Sequence, residues 1–305
     1  MGDVLHALPA VSSLRASFPA AEICWIIDPR WACLLQDNPA VDRIIPFDRR
    51  RMDSIRHTLR ELRSQTFDTS FDFQGLIKSA VLPFLARGCR NRWGFHRSVL
   101  REPAAAVFYT GPGFRPSSLH VVDRSIEMIR AAGAHTVDLQ SPVPEGQAEA
   151  ALPDEPFILA APFAGWASKQ WPLEYYAELA RLLSPVKLVL NVAPSQIDQL
   201  SQFSAFERHS SSLGGLIHAT RRAAGVVGLD SGPTHLAAAL AKPGVAIFGP
   251  TDPARNGPYG GSLRVLRQPK AETTYKRGNE IASSMRAIRP EIVYEQLREC
   301  CLKTL

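Results

Sequence analysis

The sequence predicts a two-domain α/β protein, each domain a parallel sheet wound with helices on both faces. Three observations carry that reading. Short apolar runs alternate with amphipathic stretches in two successive series, the pattern of parallel strands joined by helices. Gln140 to Pro156, rich in Pro, Glu, Gln and Ala and without a hydrophobic period, separates the two series as a linker. At 305 residues the chain has room for two domains of ordinary size, each with its own core.

In the first series, Met1 to Ala7 reads as a polar turn entering a helix. Pro9 stands at its first position, and Leu8, Val11, Leu14 and Phe18 mark one face. Strands are expected at Glu22–Ile27, Arg43–Phe47, Thr69–Phe73 and Cys89–Gly94. Helices are expected near Pro29–Gln36, Arg51–Ser64, Leu76–Leu85 and Val121–Ala132, with a short segment at Arg101–Tyr109. A doubly wound domain normally opens on a buried strand, yet this chain starts at the turn that should follow one. The first strand of the amino-terminal domain is therefore expected to be missing, and the true start to lie upstream.

The second series has strands at Phe157–Ala161 and Lys187–Asn191 around a helix at Leu173–Leu183, then a helix around Ser195–Phe203. Its centre is one βαβ unit: strand Gly225–Leu229, helix Thr234–Ala241 and strand Val245–Phe248. A strand at Leu263–Leu266 and an amphipathic helix at Pro290–Lys303 close the chain. The domains are thus set at residues 1–146 and 147–289, with residues 290–305 as a closing helix.

Composition narrows the function classes. No apolar run has the length of a transmembrane helix, and no secretory signal is present. Five cysteines without metal-ligand spacing read as reduced and structural, and no metal site is expected. The net charge is +6, and arginines crowd the amino-terminal half, from Arg49-Arg50-Arg51 through Arg56, Arg60 and Arg63 to Arg101. Arginine clusters suit phosphates and carboxylates, as on an anionic lipid surface. Nucleic acid is disfavoured, because the same half lacks interleaved aromatic residues and any known binding module.

The polar loops of the central βαβ unit are the candidate site. Asp230-Ser231-Gly232-Pro233-Thr234 follows one strand, and Gly249-Pro250-Thr251-Asp252-Pro253 the next. Ligands of open α/β sheets lie at such carboxyl ends, and the free amides of a helix start favour an anion. The competing reading is a capped helix, with Asp230 and Ser231 only satisfying those amides. No Walker or dinucleotide fingerprint is present.

Several motifs, in order over almost the whole chain, resemble the lipopolysaccharide heptosyltransferases of glycosyltransferase family 9. They are Gly2-Asp3-Val4-Leu5-His6-Ala7-Leu8-Pro9, Asp72-Phe73-Gln74-Gly75-Leu76-Ile77-Lys78-Ser79, Arg101-Glu102-Pro103, Ser168-Lys169-Gln170-Trp171-Pro172 and the two loops above. The heptosyltransferase I branch is the nearest match. The resemblance implies a GT-B fold, two facing Rossmann-like domains with acceptor bound by the first and nucleotide sugar by the second. It implies an inverting, metal-independent transfer of heptose from ADP-heptose to the Kdo–lipid A inner core, on the cytoplasmic face of the inner membrane, with no cofactor beyond the donor.

By the same resemblance Asp3 falls on the catalytic base and Lys169 on a phosphate-contacting lysine. The donor set is Lys169, Gln196, Asp230, Ser231, Gly232, Thr234, His235, Thr251 and Asp252, where His235 also reads as a core histidine. The acceptor set is Arg49, Arg50, Arg51, Gln74, Lys78, Arg101 and Arg124, to meet carboxylates and phosphates. The chain departs at Gln196, where the heptosyltransferase I pattern has a ribose-binding glutamate, so a weaker ribose contact is expected. Two alternatives stay open: a family 9 transferase with another nucleotide sugar or acceptor, and a non-catalytic nucleotide-sugar-binding paralogue.

Overall fold

The computed structural model describes residues 1–302. The chain divides into two compact units, one of His6–Pro142 and the other of Met1–Leu5 with the chain from Val143 onward.

The larger unit is built on one six-stranded parallel sheet. Its strands are β5 (Phe157–Ala160), β6 (Lys187–Val192), β7 (Glu207–Ser210), β8 (Gly225–Leu229), β9 (Gly244–Phe248) and β10 (Leu263–Arg267), in the order β10-β9-β8-β5-β6-β7. Strands β5, β8 and β9 are buried along their whole length. This explains their unbroken apolar runs, since a central parallel strand is covered on both faces. Chain order runs outward from β5 to β7, then restarts at β8 on the other side of β5 and runs outward again. The switch point of the sheet therefore lies between β5 and β8.

Helices α5 (Leu173–Leu183), α6 (Leu213–Arg222), α7 (Gly232–Ala239), α8 (Pro253–Asn256), α9 (Ser283–Arg286) and α10 (Pro290–Cys300) complete this unit; Lys303, the expected end of α10, lies outside the described residues. Trp171, Tyr176, Leu179, Leu190, Val293 and Leu297 anchor its core. The Trp171 indole keeps a polar partner within it, donating to the Ile288 carbonyl at 2.8 Å. The expected helix near Ser195 is a 3-10 turn over Pro194–Leu200. Strand β7 and helix α6 were not anticipated. The segment read as a linker is pinned to α6: Arg221 donates to the carbonyls of Val143 and Pro144, and the Gln147 amide donates to Gly214.

Gly244 shows how tightly β8 and β9 meet. Its φ is +155°, and a Cβ there would lie 2.1 Å from the Val226 carbonyl oxygen. Gly244→Ala is expected to destabilise the protein by about 3 kcal/mol, combining backbone strain with overpacking. A fall in the denaturant midpoint at unchanged slope would register it.

The smaller unit holds β1 (Cys24–Ile27), β2 (Arg43–Pro46), β3 (Thr69–Phe71) and β4 (Asn91–Trp93), with helices α2 (Met52–Ser64), α3 (Ile77–Leu85) and α4 (Val121–Ala131). The expected single sheet is realised as two separate parallel ladders, β1 with β2 and β3 with β4. No strand among the described residues joins them.

The opening of the chain corrects the sequence reading. Helix α1 spans Gly2–Ser17, so the predicted turn is already helical and Pro9 lies in the interior. Packing outweighs the lost amide there: Leu5, Ala7, Leu8, Ala10 and Val11 are all buried, more than one face allows. Phe18, placed on the buried face by its spacing, follows the helix and is 39% exposed.

Candidate functional site

The site forms where the sheet switches direction. Lys169 ends a 3-10 turn, Ala167–Lys169, in the loop after β5, and Asp230 stands directly after β8. The Lys169 Nζ lies 2.5 Å from Asp230 Oδ2, and both side chains are largely buried. Thr251, from the loop after β9, donates its hydroxyl to the same carboxylate oxygen at 2.6 Å. The lysine also sits 4.2 Å from the centre of the Trp166 ring, a cation–π contact that holds the ammonium from a second side. Three loops from three strands thus converge on one carboxylate and one ammonium.

The start of α7 completes this arrangement. Ser231 is the residue before the helix, yet its side chain accepts no bond from the first turn, and its hydroxyl is buried with no hydrogen-bond partner among the described residues. Asp230 is engaged by Lys169 and Thr251. The capping interpretation of these two residues therefore fails, and the first-turn amides of Gly232 and Thr234 have no side-chain cap from Ser231. The Thr234 hydroxyl is committed elsewhere, buried and donating to the Leu229 carbonyl. Gly228 is required opposite it, since a Cβ there would approach the Thr234 hydroxyl to 2.1 Å. Thr234 can thus offer a ligand its backbone amide but not its hydroxyl.

Met1 and Gly2 pack on this helix start. A Cβ on Gly232 would meet the Met1 side chain, and one on Gly2 would meet the His235 ring at 3.0 Å. His235 itself is buried. Asp3 follows directly, exposed in the first turn of α1 and within the same compact unit as Lys169 and Asp230.

Two donor candidates stand apart from that cluster. Gln196 lies half-buried in the 3-10 turn after β6, where its amide donates to the Ala193 carbonyl. Asp252 caps α8, its carboxylate accepting from the Ala254 amide at 2.9 Å.

The acceptor candidates belong to the His6–Pro142 unit. The structure ties Lys78 and Arg101 to one locality, because Glu102 accepts the Ile77 amide at 2.8 Å; both side chains are exposed. Gln74 is exposed in a turn built by Asp72, whose Oδ1 accepts the amides of Gln74 and Gly75. The other Asp72 oxygen accepts the hydroxyls of Ser79 and Tyr109, at 2.9 and 2.7 Å. Burial pushes the Asp72 carboxyl above the ordinary range, and these four donors oppose the rise. Arg50 and Arg51 pair with Asp48 and Asp53, whereas Arg49 is exposed and makes no ion pair among the described residues. Arg124 donates to the Ser118 carbonyl.

Sequence reading missed Trp166, which carries no motif signal, and Tyr109, which is distant in sequence from its partner. Asp72 lay inside a quoted motif, and its position just before Gln74-Gly75 was the signal that could have found it. No cluster of His, Cys, Asp and Glu able to hold a metal occurs among the described residues.

Comparison with known proteins agrees with this architecture. The family model described as glycosyltransferase family 9 (heptosyltransferase) matches residues 55–283. Lipopolysaccharide heptosyltransferase 1 of Escherichia coli K12 is 30% identical, covering 88% of this chain and 91% of that protein. The protein of the same name from Pseudomonas aeruginosa is also 30% identical, covering 86% of this chain and 79% of that protein. Among solved structures, E. coli heptosyltransferase WaaC with ADP superposes with a TM-score of 0.78 at 27% identity, covering 98% of this chain and 96% of that one. The same E. coli enzyme with ADP-2-deoxy-2-fluoro heptose gives 0.75 at 28% identity, over 98% and 96% of the two chains. The fold is GT-B, and with three quarters of its length matched by the family model, the chain belongs to glycosyltransferase family 9, the heptosyltransferases.

Proposed function

We propose that this glycosyltransferase moves heptose from ADP-heptose to the Kdo–lipid A inner core of lipopolysaccharide, with inversion. The observation that carries the donor half is the Lys169–Asp230–Thr251 cluster at the switch point, set beside a helix start whose amides Ser231 does not cap. A diphosphate laid there meets one ammonium and the amides of Gly232 and Thr234, while Asp230 and Thr251 keep the ammonium in place.

In the reaction an acceptor hydroxyl oxygen attacks the anomeric carbon of the heptose. The bond from that carbon to the β-phosphate oxygen breaks, and ADP departs. The hydroxyl proton passes to the Asp3 carboxylate, so Asp3 serves as general base. Lys169 and the helix amides take up the charge that grows on the departing diphosphate. Gln196 and Asp252 flank the nucleotide from the loops after β6 and β9, and Gln196 offers the ribose an uncharged acceptor. Arg49, Arg101, Arg124 and Lys78 supply cations to the acceptor's carboxylates and phosphates, with Gln74 beside them. Arg50 and Arg51 can join only by releasing their aspartates. No helix of the described residues is long and apolar enough to cross a membrane, and we place the enzyme peripherally on the cytoplasmic face of the inner membrane.

Incubation with ADP-heptose and Kdo–lipid A should release ADP and add one heptose to the acceptor by mass. Release of ADP without glycan product would move the acceptor assignment elsewhere. Turnover only with a different nucleotide sugar would remove ADP-heptose as donor. Tight ADP binding with no turnover on any acceptor would favour a non-catalytic nucleotide-sugar-binding paralogue.

A further inference from the structure

Between β10 and α9 the chain forms a strap fixed to the loops that carry Thr251 and Lys169. Arg267, at the end of β10, holds its start, donating to the Ala271 carbonyl at 3.0 Å, the Thr273 hydroxyl at 2.7 Å and the Gly249 carbonyl at 3.2 Å. The Thr274 amide then donates to the Pro250 carbonyl at 2.7 Å, one residue before Thr251. Farther along, Gly278 lies against Ser168, the residue before Lys169, so closely that an added Cβ would come within 3.0 Å of the serine Cβ. The Ala282 amide donates to the Ser168 carbonyl at 3.4 Å and secures that side.

Sheet order fixes what lies between these anchors. Strand β8 stands between β9 and β5, so a chain passing from the loop after β9 to the loop after β5 crosses the end of β8, where Asp230 and Ser231 follow the strand. Thr274 and Gly278 are close in sequence, and the chain between them reaches at most about 14 Å, against about 10 Å for two strand spacings. Tyr275, Lys276 and Arg277 therefore have little slack with which to leave that crossing. All three are exposed, and neither Lys276 nor Arg277 makes an ion pair or a side-chain hydrogen bond among the described residues. Along the same path the hydroxyls of Ser168 and Ser231 are buried with no hydrogen-bond partner among the described residues, and Ser168 is only 8% exposed. Uncommitted cations and unused hydroxyl donors in one place suit an anion with several oxygens.

We propose that Lys276 and Arg277 are diphosphate-binding residues of the donor site, meeting the phosphate oxygens from the side of the strap while Lys169 meets them from the sheet. The hydroxyls of Ser168 and Ser231 donate to the same group. This rests on the reading of the Lys169–Asp230–Thr251 cluster as the diphosphate site. Tyr275 belongs to the strap rather than to the phosphates, since the Arg255 guanidinium lies over its ring at 5.4 Å.

Calorimetric titration of the full chain with ADP, inorganic pyrophosphate and adenosine tests it. K276A/R277A should bind ADP and pyrophosphate about thirtyfold more weakly, the loss of two charge-assisted contacts at an open site. Adenosine carries no charge, and its affinity should stay within about twofold of wild type. K276R/R277K should keep most of the binding, and raising salt to about 0.5 M should narrow the gap between wild type and K276A/R277A. K270A removes an exposed cation that lies before the first anchor and should change nothing. In turnover, K276A/R277A should raise KM for the nucleotide sugar and leave KM for the acceptor alone. Unchanged pyrophosphate binding by K276A/R277A would overturn the proposal, as would an equal loss in K270A or for adenosine. A rise confined to the acceptor's KM would overturn it too, as would a wild type that binds neither ADP nor pyrophosphate. Pyrophosphate lacks the nucleoside, so it separates the two readings. Binding of pyrophosphate through Lys276 and Arg277, with another nucleoside diphosphate preferred to ADP, would uphold these residues and change only the donor.

Discussion

Asp3→Asn is expected to lower kcat by about two to four orders of magnitude, the usual contribution of a positioned general base. The amide keeps the shape of the side chain and its place in the first turn of α1, but it cannot take a proton. Binding of ADP should be unchanged, because the groups assigned to the diphosphate are Lys169 and the start of α7. That division is the informative part. Calorimetric titration with ADP beside a single-turnover transfer assay would separate the two readouts. A variant that turns over at the wild-type rate would remove Asp3 from the mechanism. One that loses ADP binding as well would show that Asp3 acts through the packing of Met1 and Gly2 on Gly232 and His235.

Lys169→Met is expected to cost about a hundredfold or more in kcat, as removal of a single donor to a developing anion does in preorganised sites. ADP affinity should also fall, by about tenfold. The ion pair complicates this variant, and the complication can be used. With its ammonium gone, Asp230 is left 9% exposed with the Thr251 hydroxyl as its one side-chain partner among the described residues, so stability should drop by about 2–4 kcal/mol. Lys169→Met/Asp230→Asn removes both charges and should recover most of that loss, because an amide needs no counter-ion. Activity should not recover with it. Equal rescue of stability and turnover would mean that Lys169 only neutralises Asp230, and the leaving diphosphate would then need another partner.

Much of the larger unit could be read directly from the chain. Leu173–Leu183 and Gly225–Leu229 have the bounds their patterns predict, since one has a clean helical period and the other is a continuous apolar run. Strand β7 escaped because Glu-Arg-His-Ser has neither an apolar run nor alternation, and it forms at the sheet edge beside β6. Helix α6 escaped because Gly214 and Gly215 weaken its first turn. Tertiary contacts restore that turn: Ser212 caps it, and Glu149 accepts the amides of Ser212 and Gly215. At the site, the motifs located Lys169, Asp230 and Thr251, but not that they bond to one another. Loops some sixty residues apart meet only through sheet order, and nothing local in Ser168-Lys169-Gln170 points to Asp230. That the Thr234 hydroxyl is committed to the Leu229 carbonyl escaped for a similar reason, since no side-chain pattern reveals a backbone acceptor.

Cohesion is built differently in the two units. One rests on six strands in continuous register, while no ladder among the described residues joins the two strand pairs of the other. Two paired strands are marginal by themselves, so the His6–Pro142 unit leans on apolar contacts between its helices and its ladders, in the clusters of Ile45, Leu62 and Leu82 and of Ala80, Ala105 and Tyr109.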